Sequence, residues 1–172
     1  MAKRNPEWLD RIRADGVGDW DQIEGNRSLD LGIKEVLRMY SPGVGNFPRS
    51  LTKDVVLDGV KLPKGAIVAI PITFRRNQAT YTDAEQFLPE RWVSDVDKFP
   101  KLTSIPFYAG KRVCMGYALA EINMKMMMGF VLKHFELTVA PDFEPIMDII
   151  GPYQCVNPTV NLRLIKEIQK EY

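Results

Sequence analysis

The stretch FYAGKRVCMG, residues 107 to 116, holds Cys114, one of only two cysteines in the chain. Gly110 stands four positions before the thiol and Gly116 two after it, with the cations Lys111 and Arg112 just upstream. Glycines allow the tight turn that would aim a sulfur outward. A thiolate presented there is favoured by a neighbouring guanidinium, by backbone N–H groups and by a helix N-terminus. The plainer alternative is a buried structural thiol, because free cysteine is among the most buried residue types. A phosphate-cradling loop is excluded, since the upstream glycine and the Ser or Thr after the lysine are both missing. Elsewhere, Glu35 and Arg38 stand at i, i+3 and can meet on one helix face. Taken alone, such a pair reads as a solvated ion pair worth under about 1 kcal/mol. His134 is the only histidine, so no histidine cluster exists for zinc or non-haem iron.

The bulk composition narrows the setting for this chemistry. A chain of 172 residues with 45% hydrophobic content can bury the core of one ordinary domain. Its 23 cations and 22 anions lack the electrostatic footprint of a nucleic-acid binder or a polybasic anchor. No apolar run is long enough to span a bilayer. The start, MAKRNPEWLDRIRADG, is neither a secretory h-region nor an acid-poor transit peptide. Two cysteines some forty residues apart (Cys114, Cys155) without export signals suggest a reducing compartment rather than a disulfide framework.

Several elements must position the candidate residues. Asn5 as cap, Pro6 in the first turn and apolar Trp8, Leu9 and Ile12 predict a helix over 5–14. A polar connector, DGVGDWDQIEGN, follows. A second helix is predicted over 28–40, capped by Ser28, with Leu29, Ile33, Val36, Leu37 and Tyr40 on one face. Then Asp58-Gly59 and Pro63-Lys64-Gly65 separate short β-branched runs, predicting a small antiparallel meander. Residues 83–88 can make one helical turn, and about twenty residues without periodicity lead to the cysteine loop; loops that long are functional or pinned to something. From Met115 to Phe135 the chain is apolar on nearly every side, which predicts a buried helix. Met124, Met126, Met127 and Met128 are read as its core filling rather than as ligands. Alternation before and after Gly151-Pro152 predicts closing strands.

Taken together, these motifs resemble the C-terminal part of a cytochrome P-450. That family's cysteine signature is FxxGxRxCxG, and Phe107, Gly110, Arg112, Cys114 and Gly116 fill its fixed positions in order. Glu35 and Arg38 match the family's ExxR pair, and Pro89, Glu90, Arg91 and Trp92 its PERF-like segment, with tryptophan in the place of phenylalanine as an aromatic exchange. The resemblance runs from the first helix to the end, corresponding to helix J, helix K, the β1 strands, the meander, the cysteine loop, helix L and the terminal strands. It implies an α+β, mainly helical fold, with residues 1–172 as a single partial domain.

The resemblance also implies roles. Cys114 would be the axial ligand of haem b (iron protoporphyrin IX), with Phe107 beside the sulfur. Arg112, and by position Arg49, would bind the haem propionates. Gly110 and Gly116 would let the backbone approach the flat macrocycle. Glu35, Arg38 and Arg91 would form a buried ion network behind it. Segments around Gly45, Asn46 and Phe47 and around Gly151, Pro152 and Tyr153 fall where the family lines its substrate pocket. The implied partners are an apolar small molecule and a redox partner, a reductase or ferredoxin passing electrons from NAD(P)H, for which Lys111 could be a docking cation. The implied compartment is cytoplasmic, or the endoplasmic reticulum membrane if the full-length relative is anchored. His134 and Cys155 receive no role.

The pattern departs from the family in two places. The HRDP-like tetrapeptide is Arg75, Arg76, Asn77 and Gln78, and the distal A/G-G-x-D/E-T stretch is not in this sequence. The resemblance therefore implies a haem-thiolate monooxygenase represented by its haem-ligating portion. The alternatives are a truncated haem-binding or interaction module, or a fragment without independent activity.

Overall fold

The computed structural model describes residues 5–43, 48–69, 77–93, 104–140, 142–143, 146–149, 153–155 and 157–165. Helix α1 (Pro6–Asp15) starts on Asn5-Pro6 as expected, carries Arg13 in its last turn, and buries Trp8 and Ile12. Gly16, at φ +108, then turns the chain out of the helix.

The connector expected after α1 contains a second helix, α2 (Trp20–Gly25). Asp19 accepts from Gln22 N at 2.9 Å, and Gln22 Oε1 accepts from Gly18 N at 2.8 Å, a reciprocal cap of the capping-box kind. Its six residues include one buried apolar side chain, Ile23, too little for helical periodicity to show in the sequence. Tertiary packing holds it: Ile23 lies so close to Gly129 that a Cβ there would meet its Cδ1 at 2.5 Å.

Helix α3 (Arg27–Tyr40) is capped by Asn26, not by Ser28. Asn26 Oδ1 accepts from Leu29 N, while its Nδ2 donates to the carbonyls of Ile12 and Gly16, all at 2.8 Å. The wholly buried amide thus ties the end of α1 to the start of α3. Ser28 N instead donates to Asp15 Oδ2 at 3.0 Å. The expected apolar stripe is also revised. Leu29 and Leu37 are buried, but Ile33, Val36 and Tyr40 are only half-buried, whereas Glu35 and Arg38 are fully buried.

Asp58 and Gly59 take φ of +46 and +78, the left-handed pair that joins the hairpin β2 (Val55–Leu57) to β3 (Val60–Leu62). Among the described residues the third run does not join the hairpin as a meander. The turn at Gly65, with Gly65 N on Leu51 O at 2.8 Å and Leu51 N on Ala66 O at 2.9 Å, sends the chain back beside residues 49–51. Strand β4 (Ile67–Val68) therefore pairs antiparallel with β1 (Arg49–Ser50). Residues 83–86 form a hydrogen-bonded turn rather than a helical one, because Asp83 sits at φ +52.

Helix α4 (Tyr117–His134) differs most from expectation. Only Gly129 and Leu132 are buried, and Leu119, Met126, Met127 and Phe130 are exposed. Uniform hydrophobicity calls for cover on all sides, and among the described residues α1, α2, α3 and β5 (Phe135–Thr138) pack on α4, as does Phe107 at its N-terminal end, while one side stays exposed. Arg13 closes its end by donating to the carbonyls of Leu132 at 3.2 Å and Phe135 at 3.0 Å. The closing strands appear as two antiparallel pairs, β5 with β8 (Asn161–Leu164) and β6 (Met147–Ile149) with β7 (Tyr153–Cys155).

The core gathers Trp8, Ile12, Ile23, Leu29, Leu31 and Leu132, with Phe87, Trp92 and Leu137 packed on its edge. Each fully buried leucine or isoleucine contributes about 1.5–3 kcal/mol. Gly32 makes the α1–α3 crossing possible, since a Cβ would stand 2.9 Å from the Trp8 indole nitrogen, which donates to Ser28 O at 3.2 Å.

Candidate functional site

Two clusters of the expected residues form in the structure. The first surrounds Glu35, whose side chain is 0% exposed. Arg38 meets it side-on, Nη2 to Oε1 at 2.8 Å and Nε to Oε2 at 3.0 Å, the bidentate geometry that makes guanidinium–carboxylate pairs strong. Arg91 Nε donates to Oε1 at 3.0 Å, so Glu35, Arg38 and Arg91 stand together. Two more donors had no expectation attached: Leu88 N to Oε1 at 3.1 Å, and the Trp92 indole to Oε2 at 2.9 Å. The guanidinium groups also reach carbonyls, Arg38 that of Gln86 and Arg91 those of Thr82 and Asp83.

This arrangement follows from local structure. Residues i and i+3 of α3 share a face, and Pro89 starts a single 3-10 turn, Pro89–Trp92, that points Arg91 and Trp92 back at that face. Glu90, on the outer side, pairs with Arg11 of α1 at 2.7 Å, and the Arg11 guanidinium lies over the Trp8 ring. Every polar member of the tetrapeptide thus binds an element distant in sequence.

The second cluster is the thiol loop. Cys114 N donates to Phe107 O at 2.8 Å, which closes the loop on itself. Within it Tyr108 sits at φ +65 and Gly110 at φ +70, and Gly110–Arg112 makes a 3-10 turn. Tyr117 N donates to Cys114 O at 3.3 Å, so the half-buried thiol stands at the N-terminal entry of α4, with Gly116 as the cap position. Phe107 packs edge-on against Tyr117, ring centres 5.8 Å apart.

The surface beside the sulfur is open. Among the described residues, a Cβ on Gly116 would meet nothing nearer than Cys114 Sγ at 4.0 Å, which leaves room there for a flat group. Met115 is fully exposed and Leu119 largely so, an apolar margin along the thiol. Lys111 and Arg112 are exposed. Among the described residues, neither has a hydrogen-bonding or charged partner. Arg49 is likewise exposed on β1, in a separate sheet, and no hydrogen bond joins it to the loop. Among the described residues, no three His, Cys, Asp or Glu side chains converge as a metal cage would need. A lone thiol at a helix entry, room for a flat ligand, an apolar margin and an unpartnered guanidinium together fit a thiolate-ligated macrocycle bearing carboxylates.

Other expectations fall elsewhere. Gly45, Asn46, Phe47, Arg75, Arg76, Gly151 and Pro152 lie outside the described residues, as does the side chain of Tyr153. Cys155 is half-buried and donates to Asn157 Oδ1 at 3.3 Å, and His134 packs against Phe130 in a tilted arrangement with ring centres 4.8 Å apart. Neither joins a cluster.

Comparison with known proteins follows this geometry. The cytochrome P450 family model matches residues 7–165. Cytochrome P450 CYP72A613 of Trigonella foenum-graecum is 32% identical over 165 residues, 90% of this chain and 31% of that relative. Cytochrome P450 3A12 of Canis lupus familiaris is 36% identical over 118 residues, 67% of this chain and 23% of that relative. A solved structure described as retinoic acid bound cyanobacterial CYP120A1 matches with a TM-score of 0.87 at 24% identity, over 95% of this chain and 40% of its own; it shows the shared fold. The chain spans between 23% and 31% of the length of these curated relatives. A family model matching almost end to end, with the fold to go with it, means that this chain belongs to the cytochrome P450 family.

Proposed function

We propose that residues 1–172 form one partial domain, the haem-ligating part of a haem-thiolate monooxygenase, with Cys114 as the axial ligand. The family's cofactor is haem b. When bound, it supplies activation of dioxygen and transfer of one oxygen atom to carbon, which thiolate ligation favours. The chain's own residues bind and orient it. Cys114, fixed through its backbone N–H to Phe107 O, presents sulfur at the entry of α4, where the helix dipole favours a thiolate. Phe107, held by Tyr117, shields one side of the sulfur. Gly110 and Gly116 admit the plane of the macrocycle. Arg112 and Arg49 hold propionates through charge-assisted hydrogen bonds. Lys111 serves a redox partner that carries electrons from NAD(P)H, and the substrate is an apolar small molecule.

The observation that carries this reading is the Cys114 loop: the backbone closure at 2.8 Å, the thiol at the helix entry and the open space over Gly116. The test is to supply haem, reduce the chain under carbon monoxide, and record the spectrum beside Cys114→Ala. A thiolate-type Soret band that the substitution abolishes is expected, and no haem uptake by the unsubstituted chain would overturn the proposal. The exposed side of α4 favours a second reading, haem binding without turnover. Conversion of an apolar probe substrate by the loaded chain with an added electron donor would exclude it.

A further inference from the structure

The tripeptide Asp-Gly-Val occurs twice in the chain, at residues 15–17 and at residues 58–60. An Asp-Gly step is open to an intramolecular reaction, because glycine puts no side chain in the way of attack by its own nitrogen. That nitrogen adds to Cγ of the aspartate, and its proton leaves with the hydroxyl of the protonated carboxyl as water. The product is a five-membered succinimide. Water then opens the ring, at the side-chain carbonyl to restore aspartate or at the main-chain carbonyl to give isoaspartate, whose backbone runs through Cβ and Cγ. One water leaves and one returns, so no oxidant or cofactor enters and the mass is unchanged.

The structure treats the two copies differently. At the first, both reacting groups are engaged: Asp15 Oδ2 accepts from Ser28 N at 3.0 Å, and Gly16 N donates to Arg13 O at 3.1 Å. Hydrogen bonds from the Ser28 side chain and backbone also hold the Asp15 carboxyl below its ordinary pKa, as the anion that has no hydroxyl to lose. At the second, Asp58 lies in the two-residue turn between β2 and β3, and among the described residues its carboxylate has no hydrogen-bonding or charged partner. Exposure does not separate the two, since Asp15 and Asp58 are both exposed. Their settings do. Strands β2 and β3 form a two-stranded sheet and are mostly exposed, and a lone hairpin of that kind is marginally stable in water. Each local opening releases Asp58 and Gly59 from their φ of +46 and +78 and lets the nitrogen reach Cγ.

We propose that Asp58 is a site of isoaspartate formation, and that its twin Asp15 is protected by the hydrogen bonds to Ser28 and Arg13. Isoaspartate adds a methylene to the main chain of a two-residue turn, so the Leu57–Val60 pair that closes it loses its register. It also frees an α-carboxylate, the group that isoaspartate-recognising carboxyl methyltransferases esterify. None of this depends on haem or on Cys114, so it stands or fails separately from the proposed function.

The experiment ages the unsubstituted full chain without haem near neutral pH, in buffer well below its thermal midpoint and in guanidinium chloride. Peptides spanning each step are then offered an isoaspartate-specific carboxyl methyltransferase with S-adenosylmethionine, and mass spectrometry locates the ester. In buffer Asp58 should convert at least about tenfold faster than Asp15, whereas in denaturant, with the local protection gone, the two rates should agree within about twofold. Conversion of Asp58 in buffer no faster than that of Asp15, or none at all, would overturn the proposal. So would a gap of the same size in denaturant, because the flanking residues rather than the fold would then set it.

Discussion

The Glu35 hub and the Cys114 loop sit in one chain and are finished to different degrees. At the hub both carboxylate oxygens have at least two donors each, and the participating side chains of Glu35 and Arg38 are 0% exposed. At the loop the backbone is closed by a 2.8 Å hydrogen bond, yet the thiol is half-buried, Arg112 reaches solvent and Met115 is bare. The hub is complete with what the chain provides. The loop is closed in its main chain and, among the described residues, open in its side chains, as the proposed haem-binding role requires. The family's motifs thus divide into support that protein groups satisfy and a surface proposed to take its partner from outside.

The difference is most severely tested at Glu35. Removing one partner from a buried ion network leaves uncompensated charge, at a cost of about 3–5 kcal/mol. Glu35→Ala would strand two guanidinium groups and the Trp92 indole at once. It should lower the urea midpoint of the haem-free chain drastically or abolish cooperative unfolding, read by circular dichroism. An unchanged midpoint would mean that the hub is not what holds the Pro89–Trp92 turn to α3.

Arg112 should behave in the opposite way. It is exposed and has no partner among the described residues, so Arg112→Ala should leave the haem-free urea midpoint unchanged within error. A hydrogen bond to a charged group is worth about 1.5–3 kcal/mol, so the same change should weaken haem binding roughly 10- to 100-fold in a titration. Destabilisation of the haem-free chain would erase the contrast between the two regions.

Gly129 lies between these extremes. It belongs to α4, the helix that begins at the thiol and ends against the core, and Ile23 Cδ1, Cγ1 and Cγ2 would stand 2.5, 2.7 and 3.3 Å from an added Cβ. Overpacking of this kind costs about 1–3 kcal/mol. Gly129→Ala should therefore lower the thermal midpoint by several degrees by pushing α2 away from α4, while Cys114 keeps its labelling rate with a thiol reagent because its own loop is closed through Phe107. Faster labelling would show that the loop takes its position from the far end of α4.

What the sequence disclosed divides along the same line. The thiol loop was legible because its requirements are local: glycines at fixed offsets, an arginine two residues before the cysteine and a helix entry just after it. Glu35, Arg38 and Arg91 were legible through the family's motifs, since the i, i+3 spacing of Glu35 and Arg38 taken alone reads as a solvated pair. Asn26 was not, because its amide bonds to carbonyls 14 and 10 residues earlier, a tertiary role that a Ser at position 28 imitates in the sequence. Helix α2 was missed for a related reason, since one isoleucine against one glycine leaves no periodic trace. Trp92 looked like any aromatic until its N–H was seen to have an acceptor. The apolar run of α4 stated that the helix wants cover but not from where, and the described residues supply it on one side only.

The smallest expected effect concerns a carboxylate unlike Glu35 in its exposure. Asp15, at the end of α1, is held below its ordinary pKa by hydrogen bonds from the Ser28 side chain and backbone, and less so by the Arg11 charge, against an opposing effect of desolvation. A group whose folded pKa is depressed contributes stability that is fully present above its unfolded value, about 3.9, and is lost as pH falls through the folded one. Exposure screens the interaction, so the contribution is a small fraction of the hub's. Asp15→Asn keeps an acceptor for Ser28 N and removes only the charge. The urea midpoints of the two chains should therefore differ slightly at pH 6 in favour of aspartate, and converge as pH falls below about 4 and Asp15 protonates. A gap that stays constant with pH would assign the Asp15 contribution to shape rather than charge. The polar links of the α1–α3 joint would then be insensitive to pH throughout, since the others, the Asn26 amide and the Trp8 indole on Ser28 O, are neutral.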